Sequence, residues 1–207
     1  TALKGDLLTK ESIDTMIQGG AVGINLSLES ASNRMQNVMR KNLNIQKFKE
    51  NLEYICKAYP EAVTTLNSMH GFPTETEEEA MMTLNFIREM KWIHFPYLHV
   101  VRILPGTDLE KFALNHGVAK KAINESIDKS YHQVTPTLPF SRDFTEKCKL
   151  IFLKDYVLNK KRLLNVLPVQ MKHFTKDELN QKYSSYFPSK IKTLADVLKI
   201  ANISDKE

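Results

Sequence analysis

Apolar positions along this chain fall into two periods that take turns. From Val22 to Leu28 every second residue is apolar (Val22, Ile24, Leu26, Leu28), the period of a strand with one buried face. Helical spacing comes before and after it. Thr9 to Gln18 places Ile13, Met16 and Ile17 on one face, with Thr9 as cap and Gly19-Gly20 as stop. Ser32 can cap a helix carrying Met35, Val38 and Met39, and Ile45 to Lys57 turns Phe48, Leu52, Ile55 and Cys56 inward. The alternation repeats: a strand over Val63 to Met69, a helix from about Glu75 to Met90, a strand over Tyr97 to Ile103, and a helix with Leu109, Phe112 and Ala113 that Thr107 caps and His116-Gly117 closes.

Three strands about 35 to 40 residues apart, each followed by a helix, make a βαβαβα run, and such a run builds a parallel sheet with right-handed crossovers. The fold class is therefore α/β: three parallel βα units, a partial (β/α) TIM-type barrel. Ligands of such sheets bind at the carboxyl ends of the strands. Polar or turn-forming text stands at all three ends: Glu29 to Ser32, His70 to Glu75 and Arg102 to Thr107. The middle one is the most informative. Gly71 permits close backbone approach, Pro73 fixes φ, and Thr74 with Glu77 three residues on reads as a capping box for the next helix.

After Gly117 the pattern changes. Residues 118–143 read as loop, with Pro136 and Pro139. Phe144 to Leu164 reads as one long amphipathic helix, followed by shorter ones at about Lys176 to Ser185 and Leu194 to Asn202, the last with Thr193 and Asp196 in a capping arrangement. Residues 1–117 are thus expected to form the barrel portion and 118–207 a helical extension.

Composition changes the picture in two ways. The net charge of +5 is unevenly placed: residues 1–117 hold 12 Lys+Arg against 14 Asp+Glu, and residues 118–207 hold 17 against 10. A basic tail with scattered aromatics (Tyr156, His173, Phe174, Tyr183, Tyr186) around Lys160-Lys161-Arg162 is compatible with RNA or protein contact, although a solvated helix face explains it as well and nucleic acid is not the expected partner. Only Cys56 and Cys148 are present, far apart, which excludes a disulfide framework and a Cys-x-x-Cys metal cradle made by this chain alone. No apolar run approaches the roughly 18 residues of a membrane span and the N-terminus has no signal layout, so the cytoplasm is the expected location.

Four stretches in order, Val22 to Ser32, Met39-Arg40-Lys41, His70 to Thr76 and Leu104-Pro105-Gly106-Thr107, resemble the second half of the radical S-adenosylmethionine (radical SAM) barrel, most closely the branch whose members often carry a cobalamin-binding domain upstream. The match covers roughly residues 1–117. The resemblance implies that Glu29 and its neighbour Ser30, at the end of the family's fourth strand, lie at the ribose of S-adenosylmethionine, where a carboxylate accepts from two hydroxyls. It puts Lys41, and less well Arg40, near the methionyl carboxylate. It sets the backbone of Met69, His70, Gly71 and Pro73 against the adenine, with Arg102 to Leu104 flanking the ring. The family's Cys-x-x-x-Cys-x-x-Cys, which holds a [4Fe–4S] cluster, is missing, and Thr1-Ala2-Leu3 reads like the end of a third strand. The expectation is therefore the C-terminal piece of a longer Fe–S oxidoreductase. With the cluster and, if the branch is right, cobalamin held upstream, that enzyme would generate a 5′-deoxyadenosyl radical for an unnamed substrate. The piece alone would be inactive, with the upstream polypeptide as its partner and a homodimer through the open sheet edge as a further expectation.

Two other readings follow from the residues alone. One is a non-catalytic RNA- or protein-binding module built on the basic tail. The other is a metal-independent barrel enzyme using Glu29, His70 and Glu75 as acid and base.

Overall fold

The computed structural model describes residues 2–90, 92–131, 133–186 and 191–204. Helix α1 (Lys10–Gln18) leads to strand β1 (Gly23–Glu29), and helices α2 (Asn33–Val38) and α3 (Ile45–Ala58) cross to β2 (Val63–His70). Helix α4 (Glu77–Glu89) crosses to β3 (Phe95–Val100), and α5 (Asp108–Asn115) and α6 (Lys120–Ser126) follow. The strands form one parallel sheet in the order β1-β2-β3, with Leu26 beside Leu66 and Leu66 beside Pro96. The α/β reading and the three parallel βα units therefore hold.

The reason is visible in the two faces of the sheet. Ile24, Leu26 and Leu28 of β1 and Leu66 of β2 are buried with Phe48, Leu52 and Ile55 of α3 and Leu84 and Ile87 of α4. Alternation sends Asn25, Ser27, Asn67 and Met69 to the other face, where the Asn67 amide donates to Asn25 Oδ1 at 2.6 Å. That face is the one a closed barrel would turn inward. On the β1 side, Leu3 pairs in parallel with Leu26, its N–H on the Asn25 carbonyl at 2.8 Å and its carbonyl taking the Ser27 N–H at 3.0 Å.

The tail wraps the other edge. Helix α7 (Arg142–Leu150) continues into a π-helical stretch, Ile151–Val157, and then α8 (Lys160–His173), α9 (Lys176–Tyr186) and α10 (Leu194–Ile200) follow. Phe95 meets Phe174 edge-on with centroids 5.3 Å apart, and Tyr97 stacks on Tyr186 at 5.4 Å. Pro96 has no N–H to leave bare on the edge, and its carbonyl accepts from the Tyr186 hydroxyl at 2.7 Å. Val100 donates to the Tyr131 carbonyl at 2.7 Å. This edge is therefore covered by the chain's own tail, as unpaired edges require. Tyr186→Phe should lower stability by about 1 kcal/mol, the net value of one hydrogen bond, read as a shifted urea midpoint with an unchanged slope; no shift would remove the hydroxyl from the edge.

Several boundaries differ from the sequence reading. Strand β3 starts at Phe95 and stops at Val100 because β2 ends at His70, whose carbonyl takes the last ladder N–H, that of Val101, at 3.0 Å. The long helix expected over 144–164 is two helices: the chain breaks at Leu158, and the Asn159 side chain caps α8 by accepting from the Arg162 N–H at 3.0 Å. Helix α6 lies inside the stretch read as loop. Thr74 does not cap α4. It sits at φ 72, and the capping box belongs to Thr76 with Glu79.

Candidate active-site cleft at the strand ends

Strand β1 ends irregularly. The pairing with β2 slips between Ser27 and Glu29, and Glu29 takes the left-handed region at φ 63, which costs a non-glycine residue roughly 1–2 kcal/mol. Such strain persists where surrounding contacts hold it, and it collects at functional sites. Here the contacts are plain. The Lys41 ammonium donates to Glu29 Oε1 at 2.7 Å and to Ser27 Oγ at 2.8 Å, while the Ser27 hydroxyl donates to the same Oε1 at 2.5 Å. Glu29 Oε2 is buried and has no partner among the described residues. Glu29, Lys41, Met69 and Phe72 line a cleft of about 620 Å³, with Arg40 and Asp108 on its rim in a loose, exposed pair at 3.9 Å.

A small apolar layer holds these loops together. Met35 of α2, Phe72 after β2, Val101 and Ile103 after β3, Ala113 of α5 and Ile123 of α6 form a buried cluster apart from the main core, with Met69 and Leu109 against it. Neighbouring Ser30 faces inward, not into the cleft. Its hydroxyl lies 3.2 Å from Thr83 Oγ1 and its carbonyl accepts from Gln36, which also bonds the Leu28 carbonyl. Arg34 reaches from α2 to Glu79 at the start of α4 in a two-pronged contact, and Ser32 Oγ adds a third bond to the same carboxylate. The Arg34 guanidinium holds the Glu79 carboxyl down to about 2, so this link adds stability above the ordinary value of 4.5 and loses it as pH falls from there toward 2.

The second strand end separates residues that the sequence places side by side. Adjacent strand residues point to opposite faces, and Met69 lines the Glu29 cleft while His70 does not. The His70 ring lies in a different cavity of about 50 Å³ with Leu98, Val100 and Phe152, stacked on Phe140 at 6.0 Å. Burial pushes its pKa down to about 4, so it is neutral at pH 7. Gly71 takes φ 88, and its N–H and that of Phe72 both donate to Glu75 Oε2, at 2.5 and 3.1 Å. Pro73 is buried in this turn. Glu29, His70 and Glu75 are therefore not assembled as an acid–base set.

Burial pushes the Glu75 carboxyl up to about 7 against the opposing pull of the two backbone N–H groups. A carboxyl whose folded value is raised favours the fold most when both states are protonated. Its contribution is lost as pH rises from the ordinary 4.5 through about 7. Glu75→Gln should remove this term, so its melting temperature should gain on wild type between pH 5 and pH 8. His70 and His94, both pushed down to about 4, act in the opposite sense in wild type and variant alike and cancel in the difference. A constant difference across that range would contradict the assignment.

At the third strand end, Arg102 donates Nη1 to the Ser126 carbonyl at 3.1 Å and lies 5.8 Å from the Tyr131 ring. Its Nε and Nη2 are buried without partners among the described residues. Arg102 does not line the cleft of Glu29.

Residues 2–87 match the radical SAM superfamily model. That stretch, somewhat under half of the chain, is what the chain shares with the radical SAM superfamily. It is 28% identical over 131 residues to a threonylcarbamoyladenosine tRNA methylthiotransferase of Bacillus subtilis, which covers 62% of this chain and 28% of that protein. It is 29% identical over 124 residues to a tRNA-2-methylthio-N(6)-dimethylallyladenosine synthase of Mycobacteroides abscessus, covering 58% of this chain and 24% of that protein. A synthase of the same name from Pelotomaculum thermopropionicum is 33% identical over 82 residues, 40% of this chain and 18% of that one. The matched part of the chain thus spans between 18% and 28% of the length of these relatives. None of them bears on cobalamin.

The matched family uses S-adenosylmethionine and a [4Fe–4S] cluster, and the residues of this chain fit the two differently. The cleft, with an unpartnered carboxylate oxygen at a strained strand end, suits a ligand that brings hydroxyl donors. The cluster is not suited. Among the described residues no group of three His, Cys, Asp or Glu side chains could hold a metal, and burial pushes the thiols of Cys56 and Cys148 up to about 12 and about 11, away from the thiolate form that ligates iron. No helix of the described residues is long and apolar enough to cross a membrane.

Proposed function

We propose that this chain forms the second half of the barrel of a radical SAM enzyme, and that Glu29 is the acceptor for the ribose hydroxyls of S-adenosylmethionine. The observation that carries this reading is the state of the Glu29 carboxylate. Oε1 is pinned by Lys41 and Ser27, so the group is aimed, and among the described residues buried Oε2 is left without a partner, which costs free energy unless a donor arrives. Lys41 meets two acceptors with three ammonium protons and has one to offer the methionyl carboxylate. Met69 and Phe72 supply apolar wall beside the Gly71 turn. When bound beside a reduced cluster, the cofactor supplies hydrogen-abstraction chemistry. This chain's part is to bind and orient it and to keep water from that wall. The cluster ligands belong to another segment, so the chain alone should be catalytically silent. The open edge of β1, which Leu3 already pairs at one point, is where the first half of the barrel would join.

A second reading concerns the substrate. The names of the matched relatives specify modified adenosines of tRNA, and this favours an RNA substrate over the expectation that nucleic acid is not the partner. Mass spectrometry of tRNA nucleosides from cells with and without the gene tests it. A modified nucleoside that disappears with the gene supports the reading, and an unchanged nucleoside profile counts against it. The cofactor assignment is tested separately, by titrating S-adenosylmethionine into the enzyme that carries the complete barrel, with and without Glu29.

A further inference from the structure

At the opposite end of the sheet, just before β3, Trp92 stands out from the surface half-exposed. It lies between two clefts, one of about 240 Å³ and one of about 220 Å³, and lines both. The larger cleft is basic. Arg88 at the end of α4 and Lys161 in the first turn of α8 line it with Arg162, against a single acidic residue, Asp155. Among the described residues none of the three cations is paired with a carboxylate. Arg88 bonds only Asn85, and Arg162 spends its guanidinium on three backbone carbonyls, those of Val157, Ile93 and His94. Arg162 is 5% exposed, its guanidinium lies over the Tyr156 ring at 4.9 Å, and among the described residues its Nε has no hydrogen-bond partner. A buried cation with no counter-charge and an unspent donor is costly to keep, and a bound anion offsets that cost. The start of α8, 14 residues long and capped by Asn159, adds the positive end of its dipole to the same wall.

We propose that this cleft binds a nucleotide, its base stacked on the Trp92 indole and its phosphate held by Arg88, Lys161 and the start of α8. A flat aromatic ring beside an unneutralised cationic pocket matches a ligand with a π-face on one side and a dianion or diester on the other. The residues lie before β3 and at the start of α8, away from the strand ends that carry Glu29. The site is therefore independent of the cofactor reading and stands or falls without it.

Trp92 is the only tryptophan of the chain, so its fluorescence reports the site directly. The 207-residue chain is titrated, with excitation at 295 nm, with inorganic phosphate, with adenosine 5′-monophosphate and with a single-stranded RNA oligonucleotide. Saturable quenching by the mononucleotide, competed by phosphate, identifies a free-nucleotide site. Saturable quenching by RNA with little response to the mononucleotide identifies a strand-binding site. In either case Arg88→Gln with Lys161→Gln should weaken binding about tenfold or more and flatten its salt dependence, and Trp92→Ala, followed by calorimetry, should cost a similar factor. Arg162 is left intact because its three carbonyl bonds also hold the fold. No saturable quenching by either nucleotide or RNA, or the same affinity in the Arg88/Lys161 double variant with its melting temperature unchanged, overturns the proposal.

Discussion

Replacing Gly71 by valine should destabilise the chain by about 2–4 kcal/mol with no ligand present, from left-handed backbone strain and overpacking together. The backbone there sits at φ 88, and a Cβ would stand 2.3 Å from Leu138 Cδ2. Leu138 is half-buried and can swing aside in part, whereas the backbone cannot relax without breaking the two N–H bonds to Glu75. Gly71→Ala should therefore cost less than Gly71→Val. Adding Leu138→Ala to Gly71→Ala should recover the steric share and leave the strain. Urea unfolding of the four proteins checks this, and a Gly71→Val midpoint equal to wild type would show that the turn is not held as described. The consequence for function is direct. The family resemblance sets Gly71 against the adenine, but a side chain there fails against the protein itself, so lost cofactor binding in Gly71→Val cannot by itself locate the ligand.

How far the text of the chain specifies the fold depends on how local the deciding physics is. Strand β1 is legible because its alternation is complete and Gly19-Gly20 stops the helix before it. The start of α4 is ambiguous because Thr74-x-x-Glu77 and Thr76-x-x-Glu79 are both capping boxes on paper. The choice falls to Thr76 through contacts 40 and 45 residues away: Arg34 donates to the Thr74 carbonyl at 2.6 Å and to the Glu79 carboxylate, which holds Thr74 out of the helix. The break at Leu158 was hidden because apolar spacing runs through it. Asn159 was the available signal, a cap residue four positions before the next inward leucine, Leu163. Helix α6 is seven residues long, too short for a period to show.

The candidate site was legible as a place more than as a set of side chains. Glu29 and Met69, at the ends of neighbouring strands, line one cleft together with Lys41, which only the family resemblance had singled out. Period-two alternation already forbids Met69 and His70 from sharing a face, so the separation of His70 could have been read from the sequence. The inward turn of Ser30 could not, since it depends on Thr83 and Gln36. Nor does any local pattern announce the positive φ of Glu29, which follows from the slip of β1 against β2.

The central claim is that the unpartnered oxygen of Glu29 awaits the ribose of S-adenosylmethionine. It is tested most directly by isothermal titration of S-adenosylmethionine, under anaerobic conditions, into the enzyme carrying the complete barrel. Glu29→Ala should weaken binding by about 1.5–3 kcal/mol, the value of a hydrogen bond to a charged group, and Glu29→Gln by less because the amide oxygen still accepts. Lys41 loses its anchor in the alanine variant, so circular dichroism and a melting curve must show the fold intact. Weakened binding with the fold retained, in the order alanine then glutamine, is the predicted result. Equal affinity in wild type and Glu29→Ala would contradict it and return Glu29 to a structural role at the end of β1.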